Sequence, residues 1–377
     1  MFQPLREFKI GRPQIFAGLM LLGFLAQCLW VSGGRKFSQL EYQYIASGFP
    51  QQPGLEYRVT SPLTGFVAAL PFKLARHAGW LNQTRGVPRL WVARLPFAVF
   101  GLWLGAALWW VSRRLFDNEG GYVALALYCS SPAMAMIASN TGPEIILAWS
   151  SFGLIYTSIG VAHTLYAPPR KWLPRMVLLG LSIGCCLATA LWSFTLVLLA
   201  FAFMLYLAPG RRRAAAGVLL GSSAIGIAVL ALILGVTGSP WLATKGLVAP
   251  HPSLELLRSL AFPFADGYTP LGSYLFVAFF IVALTTYGSW DRARYFGNTA
   301  PLLSAYASVL LFALVPGAYV WNATLGLSFV FVFVGGVAAD LLETSGRRLA
   351  AIILTAGLLL RVVLGLVALS RWIRYPV

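Results

Sequence analysis

The chain has 377 residues, of which 59% are hydrophobic and only 10% charged, against roughly 25% charged in a soluble globular chain. So few charges cannot clothe a water-facing surface of this size, so lipid must be the solvent for most of the chain and no soluble domain of any size is expected. The formal net charge of +17 does not point to nucleic acid, because Lys and Arg stand in short clusters between apolar runs, as they do where a membrane protein fixes its orientation and meets anionic headgroups. A crossing helix needs about 20 apolar residues. Eleven runs qualify, beginning near Gln14, Ala93, Gly121, Ile145, Met176, Ser193, Ala214, Leu271, Ala300, Asn322 and Leu349. The first, over residues 14–31, follows Arg6, Lys9 and Arg12 and has no small-x-small cleavage site after it, so it reads as a retained anchor rather than a signal peptide. Residues 176–191 and 193–207 are short and nearly continuous, which predicts a tight hairpin turning at Trp192 and Ser193.

Charge supports the count. With the N-terminus cytoplasmic, the turns on that side carry Arg113–Arg114, then Arg170, Lys171 and Arg175, then Arg211 to Arg213, then Arg292 and Arg294, then Arg347–Arg348. Each cytoplasmic turn thus receives a basic cluster, as the positive-inside rule requires. The expected architecture is all-α: a single polytopic domain over residues 1–377, with external segments at about 32–92 and 238–269. Within the first, residues 36–47 look helical with Leu40, Tyr44 and Ile45 as the apolar side, and residues 62–81 read as an interfacial or re-entrant helix. Cys28, Cys129, Cys185 and Cys186 lie inside apolar runs without metal-ligand spacing, and read as structural thiols.

Only eleven residues are acidic, and a carboxylate kept next to lipid tends to face a cavity. Glu41, just after the first span, and Glu144, opening the fourth, both fall at the external interface. Together they can deprotonate an acceptor hydroxyl or hold a divalent metal. The plainer reading makes Glu144 a helix N-terminal charge and Glu41 a solvated loop residue. Basic residues on the same side include Arg35, Arg58, Lys73, Arg76, Arg94, Lys245 and Arg258, any two or three of which can clamp a phosphate. Arg94 is the sharpest because it opens a span. Arg361 lies inside the last apolar run and needs a partner, Asp340 or a polar backbone group.

The order of these features resembles the GT-C membrane glycosyltransferases, in particular the dolichyl-phosphate-mannose protein mannosyltransferases and lipid A aminoarabinose transferases. The resemblance is carried by Leu40-Glu41-Tyr42-Gln43-Tyr44, where the family has an Asp-Glu-x-x-Tyr-like motif. Residues 61–74 look like the family's Pro-rich interfacial helix, and Ala93-Arg94-Leu95-Pro96 opens its second span. Gly142-Pro143-Glu144 stands where many members have Arg-Pro-Glu. The chain departs from the pattern at four positions. Leu40 stands in place of the Asp, Gln43 in place of a basic residue, Ser61 in place of a Lys, and Ala190 in place of a Lys after Thr189. An aliphatic Leu40 cannot take a proton.

The resemblance implies a polyprenyl-phosphate sugar donor and transfer of the sugar at the external face. Glu41 would act as base, with Glu144 supporting acceptor or metal, and Tyr44, Arg58, Arg94, Lys245 and Arg258 would hold substrate and phosphate. No cofactor is implied with certainty, a divalent ion on Glu41 and Glu144 being the one these residues suit. Expected partners are membrane lipids, the donor lipid and subunits of a membrane complex, in a bacterial inner membrane. Two further functions fit the same chain: a non-catalytic GT-C scaffold subunit, and a lipid or small-molecule transporter. No pair of broken spans repeats across two halves, which speaks against transport.

Overall fold

The structure is a computed structural model that describes residues 11–49, 61–77, 90–237, 270–289, 295–313, 322–343 and 347–374. Every regular element among them is helical: α1 (Arg12–Gly34), α2 (Gln39–Ser47), α3 (Pro62–His77), α4 (Leu95–Cys129), α5 (Pro132–Ala138), α6 (Pro143–Thr164) and α7 (Pro169–Thr189). They continue with α8 (Phe194–Leu207), α9 (Arg212–Thr237), α10 (Pro270–Ser289), α11 (Tyr295–Ala313), α12 (Asn322–Leu342) and α13 (Arg347–Arg374). Short 3-10 turns at Leu90–Arg94 and Leu191–Ser193 lead into α4 and α8. Proline opens α1, α4, α5, α6 and α7, where its missing N–H removes no helical bond and its fixed φ suits the first turn.

All eleven apolar runs fall on helices, but seven helices of the described residues, α4 counted once, are long and apolar enough to cross a membrane. Length and composition alone do not establish eleven full spans, most clearly at α8. Its 14 residues rise about 21 Å, short of the roughly 30 Å hydrocarbon core. The predicted hairpin does turn at Leu191–Ser193. However, α7 begins at Pro169, so Arg170, Lys171 and Arg175 ride its first two turns instead of a loop. α4 is two arms joined where Phe116 and Asp117 leave helical geometry, Asp117 at φ 61°. The arms fold back on one another. Tyr128 Oη donates to the Gly101 carbonyl at 2.7 Å, and Gly121 lies against Arg113.

The core surrounds α12. Phe329, Phe331 and Phe333 are fully buried and meet rings from three neighbouring helices: Phe152 and Tyr156 of α6, Tyr128 of α4, and Phe276, Phe280 and Tyr287 of α10. Fully buried Arg361 of α13 lies 4.5 Å from the Phe276 ring. Where α12 crosses α4, a Cβ on Gly335 would sit 2.7 Å from the Gly120 carbonyl oxygen and 2.8 Å from Ala124 Cβ. Backbones meet there with no room for a side chain. Gly335→Val is therefore expected to destabilise the protein by about 1–3 kcal/mol, read as a lowered thermal midpoint in detergent. Gly217→Val on α9, where an added side chain meets open space, is the comparison.

The two ends of the bundle differ. At one end Arg175 donates to Gly160 O at 2.8 Å and Arg211 to Leu165 O at 3.1 Å, so these basic clusters share a side. At the other end α2 and α3 lie across the helix tips, crossing at Gly48 and Gly65, where any side chain on Gly48 would overlap the Gly65 carbonyl. The ends of α1 and α13 meet on this same side. A Cβ on Gly34 would lie 2.9 Å from Ile373 Cγ2, and Arg35 sits over the Trp372 ring at 4.1 Å. Two helices whose C-termini share a side need an odd number of crossings between N- and C-terminus, which agrees in parity with the charge pattern.

Candidate active site

The site grows from the turn between α1 and α2. Ser38 caps α2: its Oγ accepts from Glu41 N–H at 3.3 Å, and Glu41 Oε2 accepts from Ser38 N–H at 2.9 Å. This reciprocal capping box places the Glu41 carboxylate at the helix N-terminus, where backbone donors favour negative charge. The buried side of α2 is then Glu41, Tyr44 and Ile45, one helical stripe. Leu40, expected on that side, is 53% exposed. Glu41 displaces it from the interior because Arg94 waits there.

Arg94 ends the 3-10 turn before α4 and is fully buried. Its Nε donates to Glu41 Oε1 at 2.8 Å and its Nη2 to Glu41 Oε2 at 2.9 Å, a bidentate fork. Nη1 donates to the carbonyls of Ser32 and Arg35 at 2.8 and 3.0 Å, and Nη2 also to that of Lys36 at 3.1 Å. The Phe37 ring lies 4.1 Å from the guanidinium carbon. All five N–H donors of a guanidinium are thus committed. Glu41 is equally occupied. Oε1 accepts from Arg94 and from Thr141 N–H at 3.2 Å, while Oε2 accepts from Arg94 and Ser38. Four donors fill the roughly four lone-pair positions of a carboxylate. Burial pushes the Glu41 pKa up, but the Arg94 hydrogen bonds and charge and the Ser38 and Thr141 amides outweigh it, leaving the carboxyl below its usual range.

The Thr141 bond brings the second acid in. Thr141 lies three residues before Glu144, on the turn joining α5 to α6, and Arg35 Nη1 donates to Asn140 Oδ1 on the same turn. Glu144 stands in the first turn of α6, and its carboxylate folds back on its own backbone N–H. Gly142 makes room for it, since a Cβ there would overlap Glu144 Oε2. Among the described residues no Lys or Arg pairs with Glu144. Tyr44 is 8% exposed, and its hydroxyl pKa is raised first by burial and then by the negative charge of Glu144. Glu41, Tyr44, Arg94 and Glu144 therefore form one neighbourhood. Arg58, Lys245 and Arg258 lie outside the described residues.

This geometry changes the expected roles. Glu41 is not a solvated loop residue, and to act as a base it would have to give up one of the four hydrogen bonds it accepts. Arg94 has no N–H left for a phosphate. Glu144 is the acidic side chain of the neighbourhood without a charge partner among the described residues. A metal bridging Glu41 and Glu144 does not fit, since binding it would strip Glu41 of a donor from Arg94, Ser38 or Thr141. Among the described residues no three His, Cys, Asp or Glu side chains stand together. A cleft of about 350 Å³ lined by Glu119, Ala339, Leu342 and Glu343 lies beside the bend of α4 and takes no part here. The sequence signal for the occupied Glu41 is Ser38-x-x-Glu41, the capping-box pattern.

The family model for dolichyl-phosphate-mannose-protein mannosyltransferase matches residues 62–241. No curated protein sequence matches the chain. Among solved structures it is similar to ArnT from Cupriavidus metallidurans bound to undecaprenyl phosphate, with a TM-score of 0.63 at 14% identity over 89% of this chain and 62% of that one. It is also similar to the Archaeoglobus fulgidus oligosaccharyltransferase in its apo form, with a TM-score of 0.59 at 14% identity over 97% of this chain and 56% of that one. The chain thus spans less than two thirds of the length of either. The structural agreement extends well beyond the segment that the family model matches. The protein therefore has the GT-C fold of membrane glycosyltransferases.

Proposed function

We propose that the chain is a glycosyltransferase that takes a sugar from an isoprenoid-phosphate donor and delivers it to an acceptor hydroxyl at the non-cytoplasmic face of a membrane. Glu144 takes the acceptor proton as the acceptor oxygen bonds to the anomeric carbon. The bond from that carbon to the phosphate oxygen breaks, and its electron pair leaves with the isoprenoid phosphate. Glu41 and Arg94 form the fixed post from which the turn bearing Glu144 is hung. The phosphate falls to cations outside this post, and Arg58, Lys245 and Arg258 remain the proposed clamp, with Tyr44 bordering the substrate. The observation that carries the reading is an acidic side chain without a charge partner among the described residues, held on a braced turn beside a buried tyrosine, in a fold shared with a structure bound to undecaprenyl phosphate. The basic clusters at the opposite end support a cytoplasmic N-terminus, in a bacterial inner membrane.

A second reading is a non-catalytic GT-C subunit of a membrane complex. It is favoured by Leu40, exposed where the family has an acid, and by the full occupancy of Glu41. Proteoliposomes holding the purified chain and a panel of radiolabelled undecaprenyl-phosphate sugars separate the two. The glycosyltransferase reading expects label to leave the lipid fraction with at least one sugar when lipid-linked and peptide acceptors are supplied. Label retained with every sugar and acceptor would favour the scaffold.

A further inference from the structure

The far end of the chain touches the candidate site. Arg35 is the junction: its carbonyl accepts from Arg94, its Nη1 donates to Asn140 Oδ1, and its guanidinium carbon lies 4.1 Å from the Trp372 ring. Trp372 is 6% exposed and sits in the last turn of α13. That turn is itself pinned. Ile373 packs on Gly34, and one face of α13 reaches the turn between α4 and α5, where a Cβ on Gly365 would come within 2.8 Å of the Ser130 carbonyl oxygen. The guanidinium is therefore held between a ring that fixes its plane and the amide oxygen of the turn carrying Glu144.

We infer that Trp372 is a positioning residue for the Glu144 turn, acting by stacking on Arg35 and so holding Arg35 against Asn140. Two supports then brace residues 139–142: Glu41 through the Thr141 amide, and Arg35 through the Asn140 side chain. The last helix thereby helps to set the geometry of a site whose described parts otherwise lie within the first 150 residues. A cation over an indole face is attracted by the ring quadrupole, more strongly where water is excluded. An aromatic ring at 372 thus matters more than bulk.

The functional meaning of this brace rests on the reading of Glu144 given above, but its test does not. Hydrogen–deuterium exchange is measured on the full chain in lipid nanodiscs, following residues 139–144 with residues 325–339 of α12 as the internal comparison. Trp372→Ala is expected to speed exchange in 139–144 about tenfold, the scale of one cation–π contact, while 325–339 keep their protection. Trp372→Phe retains a ring and is expected to preserve most of the protection. Exchange in 139–144 that is unchanged in Trp372→Ala, or that rises equally in 325–339, would overturn the inference, as would a Trp372→Phe that behaves like alanine. Should Trp372→Ala fail to fold, Asn140→Ala removes the same brace at its other end. The same local rise is expected there, and unchanged exchange would refute the role. Exchange reads no chemistry, so an inactive wild type leaves this result standing, and a failed brace leaves the role of Glu144 standing.

Discussion

Arg94→Ala is expected to destabilise the folded chain by about 3–5 kcal/mol, the scale for removing one partner of a buried ion pair. The loss is large because it strands more than one group. Glu41 would remain buried with its charge unpaired, and the carbonyls of Ser32, Arg35 and Lys36 would lose their donors at once. Arg94→Lys is expected to recover little, since an ammonium carries three donors and no planar fork. The double variant Arg94→Leu/Glu41→Leu is expected to recover part of the loss, because neither charge is then stranded. Denaturation in mixed micelles reads all three. The same pair predicts a pH dependence. The folded pKa of Glu41 lies below its ordinary value, so its contribution is present above the usual carboxylate pKa and is lost as pH falls through the depressed one. An acid titration of the wild type should show this loss, and Glu41→Gln should flatten it.

Glu144→Gln carries the largest expected effect on activity. A positioned acid–base group contributes typically about 100- to 10,000-fold, so sugar transfer is expected to fall at least about 100-fold. The thermal midpoint should hold, because glutamine keeps the shape and the described residues place no cation against Glu144. Gly142→Ala tests the position of the same carboxylate without altering its chemistry. The added methyl occupies the space of Glu144 Oε2, and displacement of a reacting group by about 1 Å can cost about 100-fold. A fall in kcat with an unchanged pH profile is expected in Gly142→Ala, whereas Glu144→Gln should abolish the acidic limb of the profile.

The membrane architecture was legible because it follows from composition and run length, the two quantities that a bilayer constrains most. The parity of the chain was legible for a related reason: basic clusters mark one side, and the meeting of Gly34 with Ile373 agrees with them. The number of full crossings was less so. An apolar run shows that a helix is buried in lipid or protein, but not whether it crosses, and α8 is apolar yet short. Sequence also brought out Glu41, Arg94 and Glu144, because a charge beside an apolar run is rare enough to notice. Their roles depend on hydrogen-bond partners up to 100 positions away, such as Glu41 with Thr141, which no local pattern encodes. The occupied state of Glu41 was half visible in Ser38-x-x-Glu41. The other half, Arg94 reaching back 53 positions, needed the fold.

In the proposed function the two acids divide the work, Glu41 holding the turn and Glu144 doing the chemistry. The measurement that bears on this most directly is the rate of sugar release from an undecaprenyl-phosphate donor, per mole of folded chain, in Glu41→Gln and Glu144→Gln side by side. Glu41→Gln is expected to lose folded protein yet keep, per folded molecule, a rate within about tenfold of wild type, while Glu144→Gln stays folded and falls at least about 100-fold. The reverse pattern, a folded but inactive Glu41→Gln beside an active Glu144→Gln, would contradict this division.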